Sequence, residues 1–236
     1  RGADFIKVIA TGAVLTHGSN PSAVEFTPEE LQAATDEAKN FGLKVAAHAH
    51  AAAGIKAAVR AGVSSIEHGT FLDAEGIDLM KQHGTYLVAD IYNDDYIQGE
   101  GKAKGIPQDF LEHDRNLGQI QRDNFRKAAA AGVKMAFGTD AGVFPHGNNA
   151  KQFAYMVKYG LTPLQAIQSA TINAAELIGK PAQFGSIKTG KFADIIAVDA
   201  DPLQDIRTLE HVQFVMKNGH VYKSGSASGS PAFGIK

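Results

Sequence analysis

The sequence contains no cysteine, so no disulfide can staple the fold and the 236 residues depend on a core of their own. That absence fits a reducing cytosol without excluding export, which leaves the compartment open. Neither sign of charge is in excess, with 23 Lys and Arg against 25 Asp and Glu and a net charge of −2. A face basic enough to hold nucleic acid or an anionic membrane is therefore not expected. No apolar run approaches the length of a membrane span, and nothing near the amino end reads as a signal peptide. The chain opens on Arg1, directly before a strand, so the gene product is expected to begin further upstream. What is present, 44% hydrophobic and 20% charged residues, is ordinary globular composition.

A strand-then-helix rhythm runs through the first three quarters. Residues 4–10, 43–47, 64–67, 85–90 and 134–138 read as five short apolar strands. Helices are expected over 54–61, 74–82 and 111–131, and after Thr27-Pro28-Glu29-Glu30, where Thr27 caps and Pro28 takes the first turn. The polar stretch 92–109 reads as a loop. Apolar strands alternating with helices predict a parallel sheet covered on both faces. Helices over 151–159 and 163–178 follow. The pattern then changes to strands at 193–198, 212–217 and 221–223, with Asn218-Gly219 as a hairpin turn, and ends in a Gly/Ser-rich tail. The expected organisation is a catalytic part over 1–185, a small β domain over 186–224 and a flexible tail over 225–236.

The chemistry-bearing residues sit at one topological position. Lys7 lies in the first predicted strand, His48 and His50 close the second, and His68 closes the third. Tyr92 follows the fourth, and Asp140 ends the fifth. In a parallel α/β barrel such strand ends converge on the catalytic face, and imidazoles with carboxylates there suit a divalent ion such as zinc. Alone, each has a duller explanation: a hydrogen-bonded structural histidine, a Thr-Asp helix cap, a lysine paired with an acid. Their recurrence at one position favours a metal site.

Several motifs in order, IKVIATG, VAAHAH, SIEHGT, GTDAGVFPHGNNAKQ, TPLQAIQSAT with NAAELIG, and GSIKTGKFADIIAVDADPL, resemble the amidohydrolase superfamily, closest to its prolidase-like dipeptidases and carboxypeptidases. The stretch DIYNDDYIQGEGK resembles members that release a C-terminal lysine or arginine. The resemblance implies five β/α units of a (β/α)8 TIM-type barrel plus part of a small β-sandwich domain. It implies two divalent ions, zinc foremost, bridged by a carbamate that Lys7 forms with carbon dioxide. Partial burial is expected to keep that amine neutral. His48 and His68 match ligands of one ion. Asp140 matches the carboxylate that holds the other and takes a proton from the bridging water, whose hydroxide attacks the amide. His50, Tyr92, His146 and His17 are candidate substrate contacts, and the acids Asp90, Asp94, Asp95 and Glu100 could attract a cationic side chain.

The superfamily's first strand carries a His-x-His pair, and no such pair precedes Lys7. The chain is therefore expected to be the C-terminal portion of a homo-oligomeric enzyme whose N-terminal portion supplies that pair. The expected activity is a metal-dependent hydrolase of dipeptides or N-acyl amino acids, favouring C-terminal Lys or Arg. Alternatives are a cyclic amide, a phenylurea or an N-acyl aromatic amino acid such as ochratoxin, or a non-catalytic assembly remnant.

Overall fold

The computed structural model describes residues 2–115 and 117–225. Four parallel strands, β1 (Phe5–Ile9), β2 (Lys44–Ala49), β3 (Ser65–His68) and β4 (Tyr86–Val88), lie side by side in chain order. Each crossover carries one helix: α1 (Pro28–Asn40), α2 (Ala52–Arg60) or α3 (Ala74–His83). The capping box expected at the first of these forms. Thr27 Oγ1 accepts from the Glu30 amide at 3.2 Å, and Glu30 Oε2 accepts from the Thr27 amide at 2.8 Å.

Register decides what each strand presents. Val8, Ala47, Ile66 and Leu87 are in register across the sheet and bury against Leu31, Ile55, Val59 and Met80 of the helical layer. One residue out of phase, Ile9, His48, Glu67 and Val88 form a row on the opposite, concave face. Phe5, Lys7 and Ile9 are exposed on that face.

The expected fifth strand is reduced. Residues 134–138 run parallel to β4 but share a single bridge, Leu87 with Met135. Beyond it the Phe137 amide donates to the Ser169 carbonyl at 3.0 Å rather than to a strand. The stretch read as a polar loop holds α4 (Asn93–Glu100), whose buried residues Asn93, Tyr96 and Ile97 keep helical spacing. The single helix expected over 111–131 is two, α5 (Gln108–Asp114) and α6 (Leu117–Ala130).

After α7 (Lys151–Lys158), the helix expected over 163–178 divides into α8 (Pro163–Ala170) and α9 (Ile172–Leu177), because Thr171 leaves the helical region at φ −122°, ψ −94°. Strands β5 (Ile195–Ala197), β6 (Phe214–Lys217) and β7 (His220–Ser224) make a separate antiparallel sheet. Its hairpin turns at Asn218 and Gly219, with φ of 50° and 76°, the left-handed pair a tight two-residue turn demands. Nearly all of the tail expected to be flexible, 226–236, lies outside the described residues. Among the described residues, no helix is long and apolar enough to cross a membrane.

Candidate metal centre

The carboxyl ends of the parallel strands surround a cavity of about 240 Å³ lined by Lys7, His48, His50, His68, Asp90 and Asp140. His48 closes the inward row of β2. Its Nε2 donates to the Gly12 carbonyl at 3.3 Å, which leaves Nδ1 with a free lone pair. Two residues on, His50 shares a hydrogen bond between Nδ1 and Thr70 Oγ1 at 2.8 Å, while its backbone amide donates to Thr11 Oγ1.

Strict alternation would put Glu67, not His68, on the inner face. A left-handed backbone at His68, φ 69°, breaks the pleat there, and His68 joins the cavity lining. Asp140 is left-handed as well, at φ 50°. Outside the hairpin turn these are the only non-glycine residues with positive φ among the described residues, and such conformations gather at functional sites.

The three imidazole centroids are 4.5–4.8 Å apart. Burial, then the neighbouring His68 ring, lowers His48 to about 4; burial, then His68 and His48, lowers His50 to about 3. Both are neutral lone-pair donors near pH 7. Burial alone would also lower His68, but the charge of Asp90 and a 3.0 Å hydrogen bond from His68 Nδ1 to Asp90 Oδ1 outweigh it and raise the ring. Burial works the other way on Asp90, which His68 and Gln121 nevertheless hold below the usual carboxylate range. Asp140 is exposed as a whole residue, yet its carboxyl sits deep enough that burial first, and the Asp90 charge second, raise it.

Two overlapping sets, His48 with His50 and His68, and His68 with Asp90 and Asp140, bring their ligand atoms within 4.8 Å of one another. Neutral imidazoles beside carboxylates fit a divalent ion of the zinc type.

Lys7 borders this cavity and also a larger one, about 690 Å³, along the concave face. The partial burial expected of Lys7 is not found among the described residues. Lys7 is exposed, because no described residue covers the inner face of β1. Three further candidates lie apart from the cavity lining. Tyr92 is buried with its ring edge-on to Phe144, and Lys151 Nζ donates to its hydroxyl at 3.4 Å. His17 is 73% exposed and pairs with Asp109 at 3.1 Å. His146 is exposed in the loop after Asp140. Of the loop acids, Asp90 and Asp94 line the cavity, and Arg122 pairs with Asp95 at 2.7 Å and with Asp94 at 3.3 Å.

The contact sequence reasoning missed is Asp90 with His68. Asp90 follows β4 much as His68 and Asp140 mark the ends of their strand segments, and that shared position was the available signal.

The amidohydrolase family model matches residues 1–222 of the chain. Ochratoxinase from Aspergillus niger is 35% identical over 237 aligned residues, which cover 99% of this chain and 48% of that protein. A solved Xaa-Pro dipeptidase with methionine bound in its active site has a TM-score of 0.90 at 46% identity, covering 94% of this chain and 55% of its own. A prolidase complexed with N-methylphosphonate-L-proline has a TM-score of 0.89 at 32% identity, over 94% and 55% of the two chains. The chain thus spans about half the length of these relatives.

Proposed function

The chain belongs to the amidohydrolase family, and from that premise we propose that it supplies the metal-binding side of a hydrolase acting on the amide bond of dipeptides or N-acyl amino acids. The observation that carries this reading is the convergence of Lys7, His48, His68 and Asp140 on one cavity, with His50 and Asp90 between them. Residues 1–185 form its catalytic part and 186–224 its small β domain. A further portion of the same enzyme contributes the His-x-His pair, and the enzyme assembles as a homo-oligomer.

His48, His68, Asp140 and a carbamate on Lys7 hold the ions, with zinc the best match to the donor set. Bound there, the ions supply Lewis acidity to the scissile carbonyl and to the attacking water. Asp140 takes the proton from that water and hands it to the leaving nitrogen. His50, next to the ligands and fixed by Thr70, orients the substrate.

Two features support a basic C-terminal residue in the substrate. Asp94 lines the cavity with its Oδ2 3.3 Å from Arg122 Nη1, while its Oδ1 and Asn93 Oδ1 are buried without a hydrogen-bond donor among the described residues. An ammonium or guanidinium group supplies donors to such acceptors. A second reading, an N-acyl aromatic amino acid, is favoured by the 35% identity to ochratoxinase across nearly the whole chain.

The test is a panel assayed on the assembled enzyme: dipeptides ending in Lys, Arg or Pro, their C-terminal amides, and an N-acyl-phenylalanine. Turnover should require metal, stop on chelation and return with zinc. Free carboxylates ending in Lys or Arg should be cleaved fastest. Full activity after verified metal removal would refute the mechanism, and equal rates on acids and amides would refute the carboxypeptidase specificity.

A further inference from the structure

Asp90 is held as a positioning group is held. Its Oδ1 accepts from His68 Nδ1 at 3.0 Å and from Gln121 Nε2 at 2.9 Å, and its Oδ2 accepts from Asn93 Nδ2 at 2.7 Å. The three donors come from β3, α6 and α4, and Asp90 is only 9% exposed. Gln121 Nε2 donates a second time, to the backbone carbonyl of His68 at 3.1 Å. One amide group therefore grips both the carboxylate and the left-handed residue whose ring donates to it.

An ionised carboxylate can only accept, so this contact puts a ring proton on His68 Nδ1 and leaves Nε2 as the atom with a lone pair to give. We infer that Asp90 and Gln121 are positioning residues that fix the tautomer and orientation of His68, so that Nε2 is the nitrogen presented to a divalent cation. The inference rests on the metal-dependent reading above. Its competitor is that Asp90 is itself a ligand, since its carboxylate lies within 4.8 Å of the His68 and Asp140 ligand atoms. Direct ligation has to draw on a carboxylate that already serves three donors, and the positioning role disturbs none of them.

Two measurements on the full chain decide it. The first is metal-free: long-range ¹H–¹⁵N correlation of the imidazole rings, recorded above their ionisation, with His68 identified by the loss of its signals in His68→Gln. The wild-type ring should carry its proton on Nδ1. Asp90→Ala should move the proton towards Nε2, and Gln121→Ala should shift the same signals in the same direction. Asp90→Asn keeps the size and one acceptor for the ring, so it should hold Nδ1 protonated even if the alanine variant folds poorly.

The second measurement is zinc titration. Asp90→Ala should weaken affinity by about 10–100-fold, the usual cost of removing a group that orients a ligand, with the number of ions at saturation unchanged. A wild-type ring protonated on Nε2 overturns the inference whatever the zinc result. Loss of one ion per chain in both Asp90 variants also overturns it and makes Asp90 a ligand. A wild-type enzyme that shows the Nδ1 pattern but takes up no zinc sinks the metal-dependent function and leaves the tautomer assignment standing.

Discussion

Lys7 shows how little one side chain's identity settles. On the exposed inner face of β1 it is within reach of both cavities, and its role depends on what it becomes there. If it works as a carbamate, the site needs a carboxylate-like group at that point. Lys7→Ala should then lose metal and turnover, and a short carboxylic acid in excess should restore part of both. Lys7→Arg should not respond, because guanidinium fills the space, stays charged and cannot form a carbamate. Metal per chain and turnover, with and without the acid, are the readouts, and an active Lys7→Arg enzyme removes Lys7 from the site. The histidines make a second residue-scale prediction. In the unfolded chain His48 and His50 titrate near 6.5, whereas folded they are held to about 4 and about 3. Across that window the unfolded chain binds protons the folded chain does not, so metal-free stability falls as pH drops below 6.5. His68 acts with the opposite sign: its raised pKa adds stability at low pH that is lost as pH rises through it. Melting temperatures of metal-free protein should decline from pH 6.5 to 4, and His48→Gln should flatten that decline. An unchanged slope in the variant contradicts the assignment.

At the scale of elements, the segment after β4 depends on a helix far along the chain. Gln152, fully buried in α7, donates to the Ala89 carbonyl and accepts from the Tyr92 amide at 3.0 Å, so it brackets Asp90 from both sides. Gln152→Met keeps the volume but leaves a buried carbonyl and a buried amide unpaired. The expected cost is about 2–6 kcal/mol, from about 1–3 for each orphaned group. Thermal unfolding should show that loss together with weaker zinc binding, and a variant as stable as wild type would mean water replaces both bonds. The same segment shows what the sequence could and could not reveal. Helix α1 was legible because Thr27, Pro28 and Glu30 signal their geometry locally, and the β6–β7 turn because Asn218-Gly219 tolerates positive φ. The strands that carry Lys7, His48 and His68 were legible as apolar runs. Helix α4 was not, since it lacks a side-chain cap and its buried residues are scattered through acids. The pairing of Asp90 with His68 spans 22 residues, and it exists only once β3, β4 and α6 are packed.

At the scale of the whole molecule, the four-stranded parallel sheet has one finished face. Ile66, Leu87 and their row are sealed by helices, but the concave side opens into the 690 Å³ cavity, where Phe5 is 55% and Ile178 58% exposed. β1 pairs only with β2 among the described residues, so its outer edge offers unpaired backbone groups beside an apolar surface. Such an edge recruits another strand, and such a surface recruits another apolar surface. The isolated chain should therefore associate as its concentration rises and should turn over no substrate. Light scattering coupled to size exclusion, across a concentration series, measures this directly. Phe5→Lys with Ile178→Glu should weaken the association without touching the sealed face, since both residues already stand in the open. Mixing in the proposed portion that carries the His-x-His pair should do the same while bringing activity, because strands that cover the concave face would remove its reason to self-associate. A monodisperse, catalytically active monomer at high concentration would show that the concave face is stable in water as it stands, and that the cavity at the strand ends needs no further strands to work.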